Sequence, residues 1–339
     1  MKKETTRQIK GIAILLMIFH HFCGTALFPK LGEMWIRIGA SCKICVAIYA
    51  VLSGYGYFFA KEKTVRYGLK KIWGLLEIYW LSLFTLFIPA AIRGGWRLTP
   101  GALVIQLFGL YPNLNFFAWY VFFYVFCMLA MPFLYRIFRK NLLRNVLIAL
   151  LIPYALEILL HSVPAYSEIR AVYVLFDCML YLPCFLSGYL MAKHGVMDNV
   201  NRVLPKQRAG RMIVCIVGIV AVFFLRMICN SVYGFQLDVF YAPAFVCFAA
   251  ALFEACGKKP LRGTFSILGK YSAGMWFFHA VFFSTYICDT FQPILRIVKS
   301  PVLMYLWCVV LSLAGAYAYQ ELLNGLRYLC RIKRRSADH

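Results

Sequence analysis

The sequence predicts an all-α integral membrane protein, a bundle of about ten transmembrane helices with one short re-entrant or interfacial segment. Of its 339 residues, 63% are hydrophobic and 14% are charged, whereas soluble domains are about half apolar and about a quarter charged. The apolar residues form runs of membrane-spanning length, and most Lys and Arg residues lie in short clusters between those runs. This arrangement is typical of helices that cross a bilayer and loops that meet its surface.

A bilayer core needs about 20 apolar residues per helix. The segments that meet this length are residues 9–28, 34–60, 72–92, 115–135, 145–161, 171–192, 212–229, 236–256, 271–289 and 301–325. One further apolar run, Gly101–Leu110, is too short to span and precedes the turn signal Tyr111-Pro112-Asn113, so we expect it to be re-entrant or interfacial. With no internal repeat or long linker, residues 1–339 are expected to form a single transmembrane domain with no appended soluble domain.

The distribution of basic residues predicts the orientation of these helices. The chain holds 36 Lys and Arg residues, and most lie in loops on the same side as the N-terminus. The loops on the opposite side hold only Lys30, Arg93, Arg97, Arg170, Arg296 and Lys299. By the positive-inside rule, both termini are cytoplasmic. The net charge of +23 therefore reports orientation at a lipid bilayer, and we expect no binding of nucleic acid.

Ionisable side chains inside apolar segments are costly and are therefore candidates for function. Lys10 and His21 are eleven residues apart in the first predicted helix. At about 100° per residue, both side chains point to the same face within about 20°, and His21 lies about 16 Å above Lys10. This places His21 near the bilayer midplane if Lys10 marks the membrane surface. The neighbouring His20 points about 100° away and is expected to face other residues.

A single histidine at this depth has two interpretations. It can join two helices by a hydrogen bond, or it can take part in chemistry. The basic Lys10 on the same face, and a second deep histidine, His279, on a late helix, favour the functional interpretation for His21.

The segment Lys10-Gly-Ile-Ala-Ile-Leu-Leu-Met-Ile-Phe-His20-His21 resembles the first-helix signature of the acyltransferase-3 family, which is an Arg, ten residues and a His. Further segments similar to this family follow in order along nearly the whole chain. They are Leu52-Ser-Gly-Tyr-Gly-Tyr, Lys70-Lys71-Ile, Tyr79-Trp80, the aromatic run from Trp119 to Pro132, Tyr181-Leu-Pro-Cys-Phe-Leu-Ser-Gly-Tyr, and Leu268-Gly-Lys-Tyr-Ser-Ala-Gly-Met-Trp-Phe-Phe-His279.

The resemblance implies an O-acyltransferase of the cell membrane. It would move an acyl group, most often acetyl, from cytoplasmic acyl-coenzyme A to a hydroxyl of an extracytoplasmic carbohydrate or cell-surface glycan, with no metal ion. His21 is then the catalytic residue, as a general base or as a transient carrier of the acyl group. Lys10, Lys70 and Lys71 are the expected coenzyme-binding residues. Other candidates for the site are His20, Glu77, Trp119 and His279.

Two departures from the family pattern concern the donor side. Lys10 stands where the family has Arg, so the charge is kept but the planar fork that binds phosphate in bidentate fashion is lost. The third predicted helix offers Lys70 and Lys71, followed by Gly74 and Glu77 where an Arg and a Pro are common. Glu77 is expected to pair with a neighbouring Lys or His rather than to act as a catalyst.

Two other functions compete with this interpretation. A transporter or flippase for a glycan or lipid-linked substrate also uses intramembrane His, Glu and Arg. Such proteins commonly contain two related halves with broken helices, and the sequence shows no such symmetry. A different membrane acyltransferase family would keep the chemistry and change the fold, but the position of the Lys10 and His21 pair at the start of the chain disfavours it. The sequence leaves the oligomeric state open.

Overall fold

The computed structural model describes residues 1–24, 32–95, 97, 99–110, 114–164, 170–233, 237–257, 260–284 and 287–337. The described part of the chain is helical and contains no strand. The α-helices are α1 Lys3–Cys23, α2 Glu33–Ser41, α3 Ile44–Phe58, α4 Val65–Ser82, α5 Ile88–Arg93, α6 Pro100–Phe108, α7 Trp119–Leu134, α8 Leu142–His161, α9 Arg170–Lys193, α10 Val196–Val203, α11 Arg208–Tyr233, α12 Asp238–Ala255, α13 Pro260–His279, α14 Cys288–Arg296 and α15 Pro301–Ala337.

Seven helical segments in the described part of the chain are long and apolar enough to cross a membrane. They are residues 33–58, 65–93, 142–161, 174–193, 208–229, 238–255 and 301–329. Helix α7 is apolar but shorter. The all-α membrane class predicted from the sequence is therefore confirmed, and the number of ten transmembrane helices stays a prediction.

Two of the predicted spans are offset from the helices that carry them, and residues 25–28 of the first and 285–286 of the second lie outside the described residues. The span predicted at 9–28 lies on α1, which begins at Lys3 and ends at Cys23. The span predicted at 271–289 lies on α13, which begins at Pro260 and ends at His279. In both cases the helix starts in polar sequence before the apolar run, because backbone hydrogen bonds, and not hydropathy, set where a helix begins.

The helix predicted at 34–60 is also not continuous. Its helical hydrogen bonding is interrupted at Cys42 and Lys43, which separate α2 from α3. At this point the Lys43 amide donates to the Ala40 carbonyl at 3.2 Å, and the Cys45 amide donates to the Cys42 carbonyl at 3.1 Å. Each of these amides donates to the carbonyl three residues earlier instead of the one four residues earlier. The carbonyl four residues earlier therefore loses that donor. We call residues 39–43 the α2–α3 kink.

The described residues group into two compact units. The first unit comprises Met1–Ile72 and Trp119–Lys270, and the second comprises Trp73–Ala118 and Tyr271–His339. The prediction of one domain for the whole chain is not tested by this division.

Glycines allow α3 and α9 of the first unit to approach closely. A Cβ atom on Gly54 would overlap the backbone carbonyl of Phe185, and one on Gly188 would overlap the backbone carbonyl of Val51. Small residues that bring helix backbones together are a common means of packing helices in membranes, where the hydrophobic effect gives little drive for association. This contact forms a central part of the first unit.

A second glycine contact fixes α1 against the first half of α13. A Cβ atom on Gly11 would overlap the carbonyl of Phe265, and one on Gly269 would overlap the carbonyl of Arg7. On another side of α1, the Tyr49 hydroxyl of α3 donates to the Lys10 carbonyl at 3.2 Å. The helix that carries Lys10 and His21 is therefore held by backbone contacts at its N-terminal half.

The second unit contains the short apolar segment expected at Gly101–Leu110. It forms α6, which starts at Pro100 after the capping side chain of Thr99 and ends at Phe108, and the next residue, Gly109, has a φ of 64°. Tyr79 and Trp80 of α4 donate to carbonyls at the end of α6, with distances of 2.5 and 2.8 Å. The turn predicted at residues 111–113 lies outside the described residues.

Gly54→Ala is expected to lower the stability of the protein by about 1 to 3 kcal/mol, because the added methyl group must separate two packed backbones. Thermal unfolding in detergent measures this effect. The matched control is Gly56→Ala on the same helix, because a Cβ there meets no atom within 4 Å. The control is expected to change stability by less than about 1 kcal/mol, in the stabilising direction. Equal destabilisation by the two variants would contradict the proposed importance of this contact.

Candidate active site

Helix α1 carries Lys10 and His21 on one uninterrupted stretch of α-helix, from Lys3 to Cys23. Helix geometry therefore places both side chains on one face, about 16 Å apart along the axis. His21 lies in the last turn of α1, and both side chains are half-buried. The helix supplies two chemically different positions, a cation towards one end and an imidazole at the other.

The structure brings Lys71 near Lys10. The positive charges of Lys71 and Arg7 act electrostatically on the Lys10 ammonium. Lys70 and Lys71 are exposed near the start of α4, and the Lys71 ammonium lies 5.4 Å from the centre of the Tyr67 ring. Mutual repulsion between ammonium groups is unfavourable, so such a cluster is well suited to an anionic ligand that neutralises it.

His20 is held at the α2–α3 kink. Its Nδ1 atom lies 2.8 Å from the carbonyl oxygen of Gly39. Because a carbonyl only accepts hydrogen bonds, Nδ1 carries the proton, and Nε2 carries the lone pair when the ring is neutral. The rings of His20 and His21 are 5.1 Å apart between centroids. The two histidines therefore form a pair in which His20 is anchored to the neighbouring helix.

A buried ion pair lies at the same kink. Arg226 of α11 and Asp238 at the start of α12 are 1% and 2% exposed. Two hydrogen bonds join them, from Nε to Oδ1 at 2.7 Å and from Nη2 to Oδ2 at 3.0 Å. The remaining nitrogen of the guanidinium, Nη1, donates to the carbonyls of Ala40 and Ser41 at 3.0 and 2.9 Å. Arg226 thus donates to the Ser41 carbonyl, which loses the Cys45 amide at the kink, and adds a second donor at the Ala40 carbonyl.

Trp119, a candidate from the sequence, begins α7 in the same unit. Its ring lies 5.4 Å from that of Tyr181 on α9. Tyr181 is buried and interacts electrostatically with Arg226 and Asp238. The side chain of Tyr181 therefore lies between Trp119 and the buried ion pair.

Two other candidates belong to the second unit. Glu77 forms an ion pair with Arg327 of α15, so the expected Lys or His partner is wrong. The cause is the long α15, which carries basic residues well beyond its apolar part and could not be placed beside α4 from the sequence. His279 ends α13 and is fully buried. Its Nδ1 atom lies 3.1 Å from the Met275 carbonyl.

Sequence reasoning did not single out Asp238. The residue directly precedes an apolar run, and a carboxylate at a helix start has an ordinary structural explanation. Only the fold shows that it faces Arg226. Among the described residues, no group of three His, Cys, Asp or Glu side chains could hold a metal ion.

An acyltransferase-domain family model matches residues 7–321 of the chain. The chain belongs to this acyltransferase family. The match covers nearly the full length, including both Lys10 and His21 of α1 and His279 of α13. Neither a curated protein nor a solved structure matches the chain significantly. Together with its apolar helices, the family identifies a membrane acyltransferase.

Replacement of Lys10, Lys70 and Lys71 by Gln is expected to weaken the binding of coenzyme A to this acyltransferase by at least about tenfold. A hydrogen bond to a charged group typically contributes about 1.5 to 3 kcal/mol, and the variant removes three cations. Isothermal titration calorimetry in detergent measures the change. Lys140→Gln, which removes an exposed cation between α7 and α8, is the control and should leave the affinity unchanged. Unchanged affinity in the triple variant would place the donor site elsewhere.

Proposed function

We propose that this acyltransferase moves an acyl group, most often acetyl, from cytoplasmic acyl-coenzyme A to a hydroxyl of an extracytoplasmic carbohydrate or cell-surface glycan. The observation that carries the proposal is the arrangement of α1, which presents Lys10, close to Lys71, and His21 on one helix of an acyltransferase-family chain. A cationic position and a proton acceptor about 16 Å apart match a donor with a phosphate group at one end and a thioester at the other.

The donor half of the proposal rests on charge. Coenzyme A carries a 3′-phosphate and a pyrophosphate, and both require cations where the molecule enters the protein. Lys10, Lys70 and Lys71 supply such cations, with Arg7 adjacent on α1. The pantetheine arm then extends along the Lys10 face of α1 and brings the thioester to His21.

The chemical step follows from the properties of imidazole. A neutral ring nitrogen of His21 takes the proton of the acceptor hydroxyl while the hydroxyl oxygen attacks the thioester carbonyl carbon. The new carbon–oxygen bond gives an ester as the carbon–sulfur bond breaks. The leaving thiolate of coenzyme A takes up a proton, which the imidazolium supplies. The products are the acylated carbohydrate and free coenzyme A, and no metal ion is needed.

The acceptor half of the proposal rests on the family resemblance and on the expected orientation. If the basic loops face the cytoplasm, the last turn of α1 lies deeper in the bilayer than Lys10. A carbohydrate hydroxyl then reaches His21 from the extracytoplasmic side, while the thioester reaches it from the cytoplasmic side.

His21→Ala is expected to lower kcat for transfer by about 10² to 10⁴, because general-base assistance typically contributes that factor. The measurement is the release of coenzyme A by the purified protein with acetyl-coenzyme A and an oligosaccharide acceptor. The variant should elute and unfold as the wild type does. Wild-type transfer by His21→Ala would exclude His21 as the base, and His279 would be tested next.

Incubation with radiolabelled acetyl-coenzyme A without acceptor separates two routes through His21. If the imidazole carries the acyl group, label remains on the wild-type protein and is absent from His21→Ala. If transfer is direct, the protein stays unlabelled.

Both termini and the loops around Lys63, Lys140, Arg208 and Lys259 are expected to be cytoplasmic, because the basic loops face that side. Single cysteines introduced at these four positions, in a background without the 13 native cysteines, test the orientation. A membrane-impermeant thiol reagent added outside intact cells should label none of them, and should label all four after permeabilisation. Labelling of any of these positions from outside would overturn the orientation and the ten-helix topology.

A further inference from the structure

The buried pair of Arg226 and Asp238 is not explained by stability. Burial of two charges is costly, and their attraction often does no more than offset the loss of hydration. Well-packed apolar residues of similar size frequently stabilise a protein as much or more. Inside a membrane protein, such a pair is therefore a candidate for function. The neighbours of the pair show which part of the fold it positions.

Arg226 contacts the α2–α3 kink. Its guanidinium is oriented by Asp238 through two hydrogen bonds, and it presents Nη1 to the carbonyls of Ala40 and Ser41. A side chain that inserts into the helical hydrogen-bond ladder is a recognised cause of a helix kink. Cations also interact favourably with the carbonyl dipoles at a helix C-terminus, and the carbonyls that Arg226 contacts lie at the C-terminus of α2.

The contacts of His20 connect the kink to the proposed catalytic residue. The Gly39 carbonyl, the next one along the kink, accepts a hydrogen bond from His20 Nδ1 at 2.8 Å. His20 precedes His21 on α1, and their rings are 5.1 Å apart. Because His20 is tied to the kink, the position of the kink fixes the rotation of the last turn of α1. That rotation decides where the His21 imidazole points.

We propose that Arg226 and Asp238 are positioning residues for acyl transfer, which act on His21 through the α2–α3 kink and His20. The inference rests on the proposed function, since it takes His21 as the base. In this role, the pair contacts neither acyl-coenzyme A nor the carbohydrate. Loss of the pair should therefore lower kcat and leave the KM for acyl-coenzyme A unchanged, because Lys10 lies about 16 Å from His21 along α1 and Lys70 and Lys71 lie on another helix, α4.

The experiment measures kcat and KM for acetyl-coenzyme A in Arg226→Lys, Asp238→Asn and His20→Ala. Each variant is expected to lose about 10- to 100-fold in kcat, as small displacements of a catalytic group can cost that much. The control is Arg37→Gln on α2. Its side chain is exposed and forms a surface ion pair with Glu33, at 2.6 Å, and it should retain wild-type kinetics.

A double variant, Arg226→Met with Asp238→Leu, separates positioning from folding. It removes both charges together, so no unpaired charge remains buried, and its unfolding temperature is expected to be near that of the wild type. The carbonyls of Ala40 and Ser41 nevertheless lose the hydrogen bonds from Arg226, so kcat should stay low at unchanged KM. Recovery of wild-type kcat in this variant would show that the pair is only structural and would overturn the proposal.

The wild-type protein distinguishes this inference from the proposed function. If the wild type transfers acetyl groups and Arg226→Lys keeps its kcat, the positioning role fails while the proposed function stands. If the wild type does not transfer acyl groups to any carbohydrate hydroxyl, the proposed function fails and the positioning role falls with it.

Discussion

A carbonyl that leaves the helical ladder inside a membrane must find another donor, because no bulk water is there to supply one. At the α2–α3 kink, the carbonyls of Gly39 and Ser41 lose the amide four residues ahead, because the Lys43 and Cys45 amides donate to Ala40 and Cys42 instead. The Gly39 carbonyl accepts from the Cys42 amide and from His20, and Arg226 donates to the carbonyls of Ser41 and Ala40. The same bonds place α1, α11 and α12 around the kink. One backbone irregularity therefore determines which side chains the first unit must bring together at the end of α1.

Close backbone contacts fix the position of the N-terminal half of α1. The glycine pair Gly11 and Gly269 lets α1 and α13 approach until added side-chain atoms would overlap main-chain carbonyls. Such a contact leaves little freedom for the helix to rotate or slide, since interiors are close-packed and adjust poorly. Lys10 lies next to Gly11 in sequence, so the same contact fixes the backbone from which the Lys10 side chain extends. The two chemical positions on α1 thus depend on two separate anchors.

The basic residues near the two ends of α1 differ in their burial. Lys71 and Arg7 are exposed and lie near the half-buried Lys10. The fully buried cation, Arg226, is neutralised by Asp238 and by carbonyl dipoles. Hydration is what decides between these arrangements, because a buried charge needs a complete set of partners and an exposed one does not. Basic residues of this chain consequently serve different purposes according to their depth.

The sequence by itself determined the membrane class and the helix that carries Lys10 and His21, because hydropathy and helical periodicity are local properties. The order of its motifs indicated the acyltransferase family, and an apolar run too short to span indicated a re-entrant or interfacial segment at residues 101–110. The tertiary structure decided what no local pattern encodes. The interruption at Cys42 and Lys43 lies within an apolar run that reads as one helix, and the partner of Arg226 is twelve residues away across a helix boundary. Arg327 as the partner of Glu77 is 250 residues away. Such pairings depend on which helices pack side by side, and side-chain partners follow from packing rather than from sequence spacing.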